Sequence, residues 1–342
     1  MAYTTINKST SFFNNILYTG NGSTQSITGV GFQPDFVWLK DRSNANAHRL
    51  NDSVRGATKF LASNNSDAET TQSAGLTAFD SDGFSLGSNS DYNGNSANFA
   101  SWNWKAGTTS GLSGGTITPS AYSINTTSGF GIYKYTGNGY AGANIAHGLG
   151  KVPKMIIVKR TDSTPNWQIY HEGMGNGKWL EFTTGAAQTA TNRWNDTSPT
   201  STLFYLGTDS DVNSSSGTYI AYVFCDVTGF SKMGSYEGNG NTNGTFIYTG
   251  FRPEFIMVKR WSGGTNNWLI LDSKRPAYNL TQNGLLPNSN AAENNGYNCD
   301  FVNNGFKWRL SGSGENGTNY GYVYAAFGQS LVGSNNVVAN AR

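Results

Sequence analysis

Charge is scarce in this chain. Lys and Arg number 23 and Asp and Glu 21 among 342 residues, 13% in all, with a formal net charge of +2. No basic stripe gathers these charges, so nucleic acid and anionic membrane, both bound through clustered positive charge, are poor partners. Cysteine is nearly absent. Cys225 and Cys299 cannot build a disulfide framework, and both are read as reduced, buried small residues. Long apolar runs are missing as well: none approaches the roughly 18 residues of a spanning helix. Met1 to Phe13 has no apolar core of the signal-peptide kind, so the expectation is synthesis in a cytosol, without a signal peptide and without membrane insertion. Nor is helical periodicity sustained in any window. Short alternating runs bounded by Gly, Asn, Ser and Asp take its place, and this pattern predicts an all-β chain.

The most informative text in the sequence recurs three times. Tyr18-Thr19-Gly20-Asn21-Gly22, Tyr135-Thr136-Gly137-Asn138-Gly139 and Tyr236-Glu237-Gly238-Asn239-Gly240 each precede a Pro and a Lys six residues apart: Pro34 and Lys40, Pro153 and Lys159, Pro253 and Lys259. After one charged residue the positions between them are apolar, aromatic or β-branched, as a well-buried strand requires. The Gly-Asn-Gly before it reads as a hairpin turn. The copies stay in step further on. Leu50 to Arg55 matches Ile270 to Arg275, with Ile169 to Glu172 at the same place, and each copy closes on an aromatic strand, Phe99 to Trp104, Tyr219 to Phe224 and Tyr322 to Phe327. This closing strand is expected at the centre of its sheet.

A residue that recurs in every copy serves the fold before it serves a single catalytic event. The reading is three tandem antiparallel β-sandwich modules of about 100 residues each, of jelly-roll or lectin-like type. The boundaries are 1–105, 129–228 and 229–342, with 106–128 as a Gly/Ser/Thr-rich linker. Module one is then expected to move independently, modules two and three to pack as a unit, and the tail from Leu331 to Arg342 to fray or dock on a partner.

Candidate chemistry is sparse. Asp80-Ser81-Asp82-Gly83 and Asp209-Ser210-Asp211 are fragments of a calcium loop without the remaining oxygen ligands, and they read as Asx turns. His48, His147 and His171 lack partners at metal spacing, and His48 falls in the slot of Trp167 and Trp268, which implies that it packs. No metal, cofactor or catalytic residue is assigned. Glu172, Glu181, Asp196 and Asp226 are the acids from which a glycosidase pair would be drawn. The remaining signal is aromatic, because sugar rings stack on exposed Trp faces while Asn and backbone groups bind their hydroxyls. Trp167, Trp194, Trp261 and Trp268 are the candidate glycan-binding residues.

Leu50 to Lys59, Gly75-Leu76-Thr77 with Asp82-Gly83-Phe84, Trp102 to Gly107 and Gly229 to Gly240 together resemble a family of repeat proteins common in tailed bacteriophages of marine bacteria and cyanobacteria, over nearly the whole chain. The resemblance implies a virion-associated structural protein of the tail-fibre or particle-surface kind, with lectin-like sandwich modules, and it transfers no catalytic residues. The function expected is a non-enzymatic virion surface protein, a tail fibre, spike or knob contacting host-surface glycans. A capsid decoration protein and a polysaccharide depolymerase are the alternatives. Its partners would be other virion proteins and its own copies, trimeric for a fibre.

Overall fold

The Pro-to-Lys text forms a strand in every copy, at Phe36–Asp41, Pro153–Arg160 and Phe251–Arg260, in a computed structural model that describes residues 4–276 and 278–330. Pro153 and Pro253 sit where the ladder register shifts, a place that tolerates a residue without an N–H. The chain is all-β, built of several antiparallel sheets. Among the described residues no helix is long and apolar enough to cross a membrane.

One strand order occurs in three sheets. An opening strand (Phe13–Thr19, Phe130–Thr136, Ser231–Glu237) pairs with the closing strand (Asn98–Trp104, Thr218–Cys225, Gly321–Ser330). The closing strand pairs in turn with the Pro-Lys strand, and that with an edge strand (Arg49–Asp52, Gln168–His171, Trp268–Asp272). The closing strand is thus interior in each sheet, as its aromatic run implies. A smaller companion lies behind each sheet: Gln25–Ile27 with Gly83–Leu86, Ala143–Ala146 with Leu203–Leu206, and Phe246–Tyr248 with Gly305–Trp308.

The Gly-Asn-Gly text is not a hairpin. It carries the chain from the large sheet to the companion, since Phe13–Thr19 pairs with the closing strand while Gln25–Ile27 pairs with Gly83–Leu86. A buried asparagine fastens each crossing. Asn93 Oδ1 accepts from the Asn21 N–H at 2.9 Å, and Asn213 and Asn316 do the same for Asn138 and Asn239 at 2.9 and 3.2 Å. The first glycine is required by close approach. A Cβ at Gly20, Gly137 or Gly238 would stand 2.2, 2.4 or 2.3 Å from a backbone oxygen.

Alternate residues of the Pro-Lys strands enter different cores. Val37 and Leu39, Ile156 and Val158, and Ile256 and Val258 face three separate clusters, one between each large sheet and its companion. Phe36 and Trp38, Met155 and Ile157, and Phe255 and Met257 all enter one further cluster that the three copies share. Phe36 stacks on Tyr222 with centroids 4.4 Å apart, Trp104 meets Phe224 at 6.2 Å, Phe13 meets Phe255 at 5.7 Å, and Phe224 meets Phe327 at 5.8 Å. Module one is therefore held by both of the others, which corrects the expectation that it moves independently.

Equivalent hydrogen bonds close the three copies into a cycle. Glu69 N donates to Thr161 O, Ala187 N to Trp261 O, and Glu293 N to Arg42 O, each at 2.9 Å. Running the other way, Trp167 Nε1 donates to Ala62 O at 2.9 Å, Trp268 Nε1 to Glu181 O at 2.7 Å, and His48 Nε2 to Leu286 O at 2.9 Å. His48 packs, as its slot implied, and it keeps the ring N–H that the two tryptophans use. Its Nδ1 accepts from Trp38 Nε1 at 2.9 Å, which fixes the Nε2–H tautomer. These are head-to-tail contacts whose rotation closes after three steps.

The 106–128 segment is no open connector. Ala121–Asn125 adds a fifth strand beside Phe130–Thr136. The N–H groups of Thr116 and Ile117 both donate to Asn144 O at 3.0 Å, covering the companion strand of copy two. The tail from Leu331 lies outside the described residues.

Candidate functional site

Three of the four candidate tryptophans are core. Trp167 and Trp194 are 1% exposed and Trp268 is 2% exposed, so no ring face is open to a sugar. Trp167 and Trp268 belong to the cyclic bonds, and Trp194 packs edge-on against Tyr170 in the core of copy two. Trp261 is partly buried against the shared core, with Lys178 Nζ 5.0 Å from its ring centroid. Glycan stacking on the first three is thereby corrected: their apolar area goes to the fold.

The structure separates the candidate acids into unlike settings. Glu172 is paired with Lys154 and is 49% exposed. Asp226 accepts the Met233 N–H at 2.8 Å; burial holds its carboxyl above the usual carboxylate range, and the charge of Glu172 adds to this. Glu181 accepts from Asn166 Nδ2 at 3.0 Å, and Asp196 is exposed. Glu172 and Asp226 are thus the pair brought within electrostatic reach, with Lys154 acting on both. The cavities of 630, 540 and 620 Å³ are lined by other residues. In the first of these the Asp35 carboxylate is already engaged by Ser53 Oγ at 2.8 Å, Ser123 Oγ at 3.0 Å and Ala106 N at 2.8 Å.

The calcium-like fragments are local braces. Asp82 accepts from the N–H groups of Gly29 and Gly31 at 3.0 and 2.6 Å, and Asp209 caps Asp211 N at 2.9 Å while pairing with Arg193. Among the described residues no group of three or more His, Cys, Asp or Glu is placed to hold a metal ion. Cys225 and Cys299 are both buried and unpaired, and burial pushes the Cys225 thiol up to about 12.

A second repeated position carries polar chemistry between copies. Asp52, His171 and Asp272 occupy one register site, opposite Phe36, Met155 and Phe255. Asp52 accepts from Tyr222 OH at 2.8 Å, Asp272 from Trp102 Nε1 at 3.0 Å, and His171 Nε2 donates to Tyr324 O at 3.0 Å. In copies one and three a buried Arg follows three residues later, Arg55 at 2.5 Å and Arg275 at 2.6 Å from its Asp. In copy two the same place holds Met174. Charge has been removed there from both members together, as a buried site requires.

Burial lowers the His171 pKa to about 4. Because this lies below the value of about 6.5 for an unfolded chain, His171 adds stability above pH 6.5 that is lost as pH falls towards 4. The full loss is about 3 kcal/mol. His171→Gln keeps a donor that does not titrate, and it is expected to flatten the fall of Tm between pH 6.5 and 4 measured by scanning calorimetry. An unchanged slope would remove His171 as its source.

What remains after the repeated residues are set aside is a face on copy three. Phe246 and Tyr248 are 44% and 53% exposed on the strand Phe246–Tyr248, either side of the buried Ile247. By register their counterparts are Ser26 and Thr28 in copy one and Asn144 and Ala146 in copy two. Lys307 lies directly across from Phe246, and Lys232 Nζ sits 5.4 Å from the Tyr248 ring centroid while donating to Tyr248 O at 3.1 Å. Such a face has rings and donors of the kind that bind sugars. Sequence reasoning missed it because it looked to Trp. The usable signal was two aromatics, alternating on an edge strand, that the other copies lack.

Comparison with curated proteins and comparison with solved structures each give no match. A family model, described as a domain of unknown function, DUF7483, matches residues 8–330, so its unit takes in all three copies of the repeat rather than one of them. The chain belongs to the DUF7483 family.

Proposed function

We propose that the chain is a non-enzymatic structural protein of a bacteriophage particle, a fibre, spike or knob component that contacts host-surface glycans, built of three antiparallel sandwich modules closed on one another. The observation that carries this reading is the division of labour among residues. Those that recur in all copies hold the ring together, and a copy-specific change on copy three, the Phe246–Tyr248 pair, is exposed and aromatic. A body of that kind presents one surface from a rigid frame, which suits attachment. The resemblance of the repeated text to phage particle proteins agrees with it. Trimeric association of whole chains, expected of a fibre, is part of this proposal; the contacts between repeats lie within one chain.

Two other readings have specific support. A body with threefold closure also fits the threefold positions of a capsid shell, as a decoration protein would. Glu172 with Asp226 offers two carboxyls of unlike environment, which a depolymerase needs. Antibody against this chain, imaged on intact particles by electron microscopy, is expected to label the tail or its appendages. Label over the head would replace the fibre reading by decoration, and unlabelled particles would overturn both. Cleavage of host polysaccharide that disappears in Glu172→Gln would establish the depolymerase instead.

A further inference from the structure

We infer that the outer face of copy three, formed by Phe246, Tyr248, Lys232 and Lys307, binds an acidic polysaccharide, one bearing uronate carboxylates. This inference rests on the glycan-contact reading above and gives it a location and a charge.

Four positions change together on copy three. Where copy three has Lys232, Phe246, Tyr248 and Lys307, register places Asn14, Ser26, Thr28 and Ser85 in copy one. In copy two the same positions hold Gly131, Asn144, Ala146 and Tyr205. Neither other copy has a cation at any of the four. Packing does not require the change, since Ile27, Ile145 and Ile247 fill the inner side of the strand equally, opposite Phe84, Phe204 and Phe306. Exposed rings carry a solubility cost that the fold does not repay. Lys232 has one structural duty, the bond to Tyr248 O, and Asn14 does a similar job in copy one through Gly29 O and Val30 O. Lys307 makes no ion pair among the described residues: Asp300, its cross-strand neighbour, is taken by Arg309 at 2.5 Å.

Phe246 and Tyr248 are two residues apart on one strand face, about 7 Å along it. That spacing lets two rings meet one extended chain of sugars. Ring faces bind the C–H faces of pyranoses, and ammonium groups beside them favour carboxylates over neutral hydroxyls. The outer surface of copy one offers hydroxyls instead, with Ser26 Oγ 3.3 Å from Ser85 Oγ. On copy two the corresponding strand edge is covered by Thr116 and Ile117. Charge complementarity therefore selects the occupant of copy three.

The test uses the full chain with polygalacturonate oligomers as the acidic probe and dextran oligomers as the neutral one, read by isothermal titration calorimetry at low and at 0.5 M salt. Polygalacturonate is expected to bind, dextran to bind at least about tenfold more weakly, and salt to narrow the gap. Phe246→Ala with Tyr248→Ala should weaken polygalacturonate binding by about tenfold or more. Lys307→Met should do so by about threefold and reduce the salt dependence. All these side chains are exposed or at the rim, so circular dichroism is expected to show unchanged folds. Absence of polygalacturonate binding, or binding that survives the Phe246/Tyr248 pair, overturns the inference. Either result leaves particle location, which antibody labelling decides separately, as it was.

Discussion

Phe182→Ala is expected to destabilise the protein by about 4 kcal/mol, among the larger costs for removing a buried ring. Phe182 meets one tryptophan from each copy: Trp38 at 5.6 Å, Trp167 at 5.7 Å and Trp268 at 5.1 Å between centroids. Its counterparts, counted from the bridged residues Leu61, Leu180 and Leu285, are Ser63 and Pro287. There is room for one large ring where three copies converge, and copy two provides it. Emptying that place leaves a void that three rigid rings cannot fill. Urea unfolding followed by tryptophan fluorescence measures the effect, and a loss below about 1 kcal/mol would mean that Phe182 is not the central plug.

Asp272→Ala should cost a similar amount, about 4 kcal/mol, by a different route. It leaves Arg275 without its nearest carboxylate at a fully buried site, and it strips the acceptor from Trp102 Nε1 and from the N–H groups of Lys274 and Arg275. The double change Asp272→Asn with Arg275→Met imitates the uncharged solution of copy two, where His171 and Met174 stand. It is expected to lose less than Asp272→Ala alone, since no buried charge is left unpaired. If the double variant loses more, the ion pair contributes net stability beyond its own desolvation.

The repeat, the all-β class and the interior position of the closing strand were legible because each depends on local pattern. His48 in a tryptophan slot was legible for the same reason. Closure into a cycle was not, although a trace of it was present. Phe36 to Leu39, Met155 to Val158 and Phe255 to Val258 are apolar at every position, and a strand buried on both faces needs a core on both sides. Reading one core per module left the second face unaccounted for. The 106–128 segment misled through composition, because pairing along an edge uses backbone groups that Gly, Ser and Thr supply as well as any other residue. Two of the tryptophan candidates failed by a rule the sequence already offered. Trp167 and Trp268 occupy one recurring slot, and recurrence marked them as part of the frame. The exposed pair Phe246 and Tyr248 lies where recurrence breaks down.

Holding three copies in one chain changes what a single substitution does. In an assembly of three identical chains, a ring at the point of convergence would appear three times and collide with itself, and a new surface patch would be triplicated. Here Phe182 occurs once and so does the Phe246–Tyr248 face. Within one chain each third of the body has its own sequence, so an outer face can differ on one copy alone while the joints between copies stay fixed.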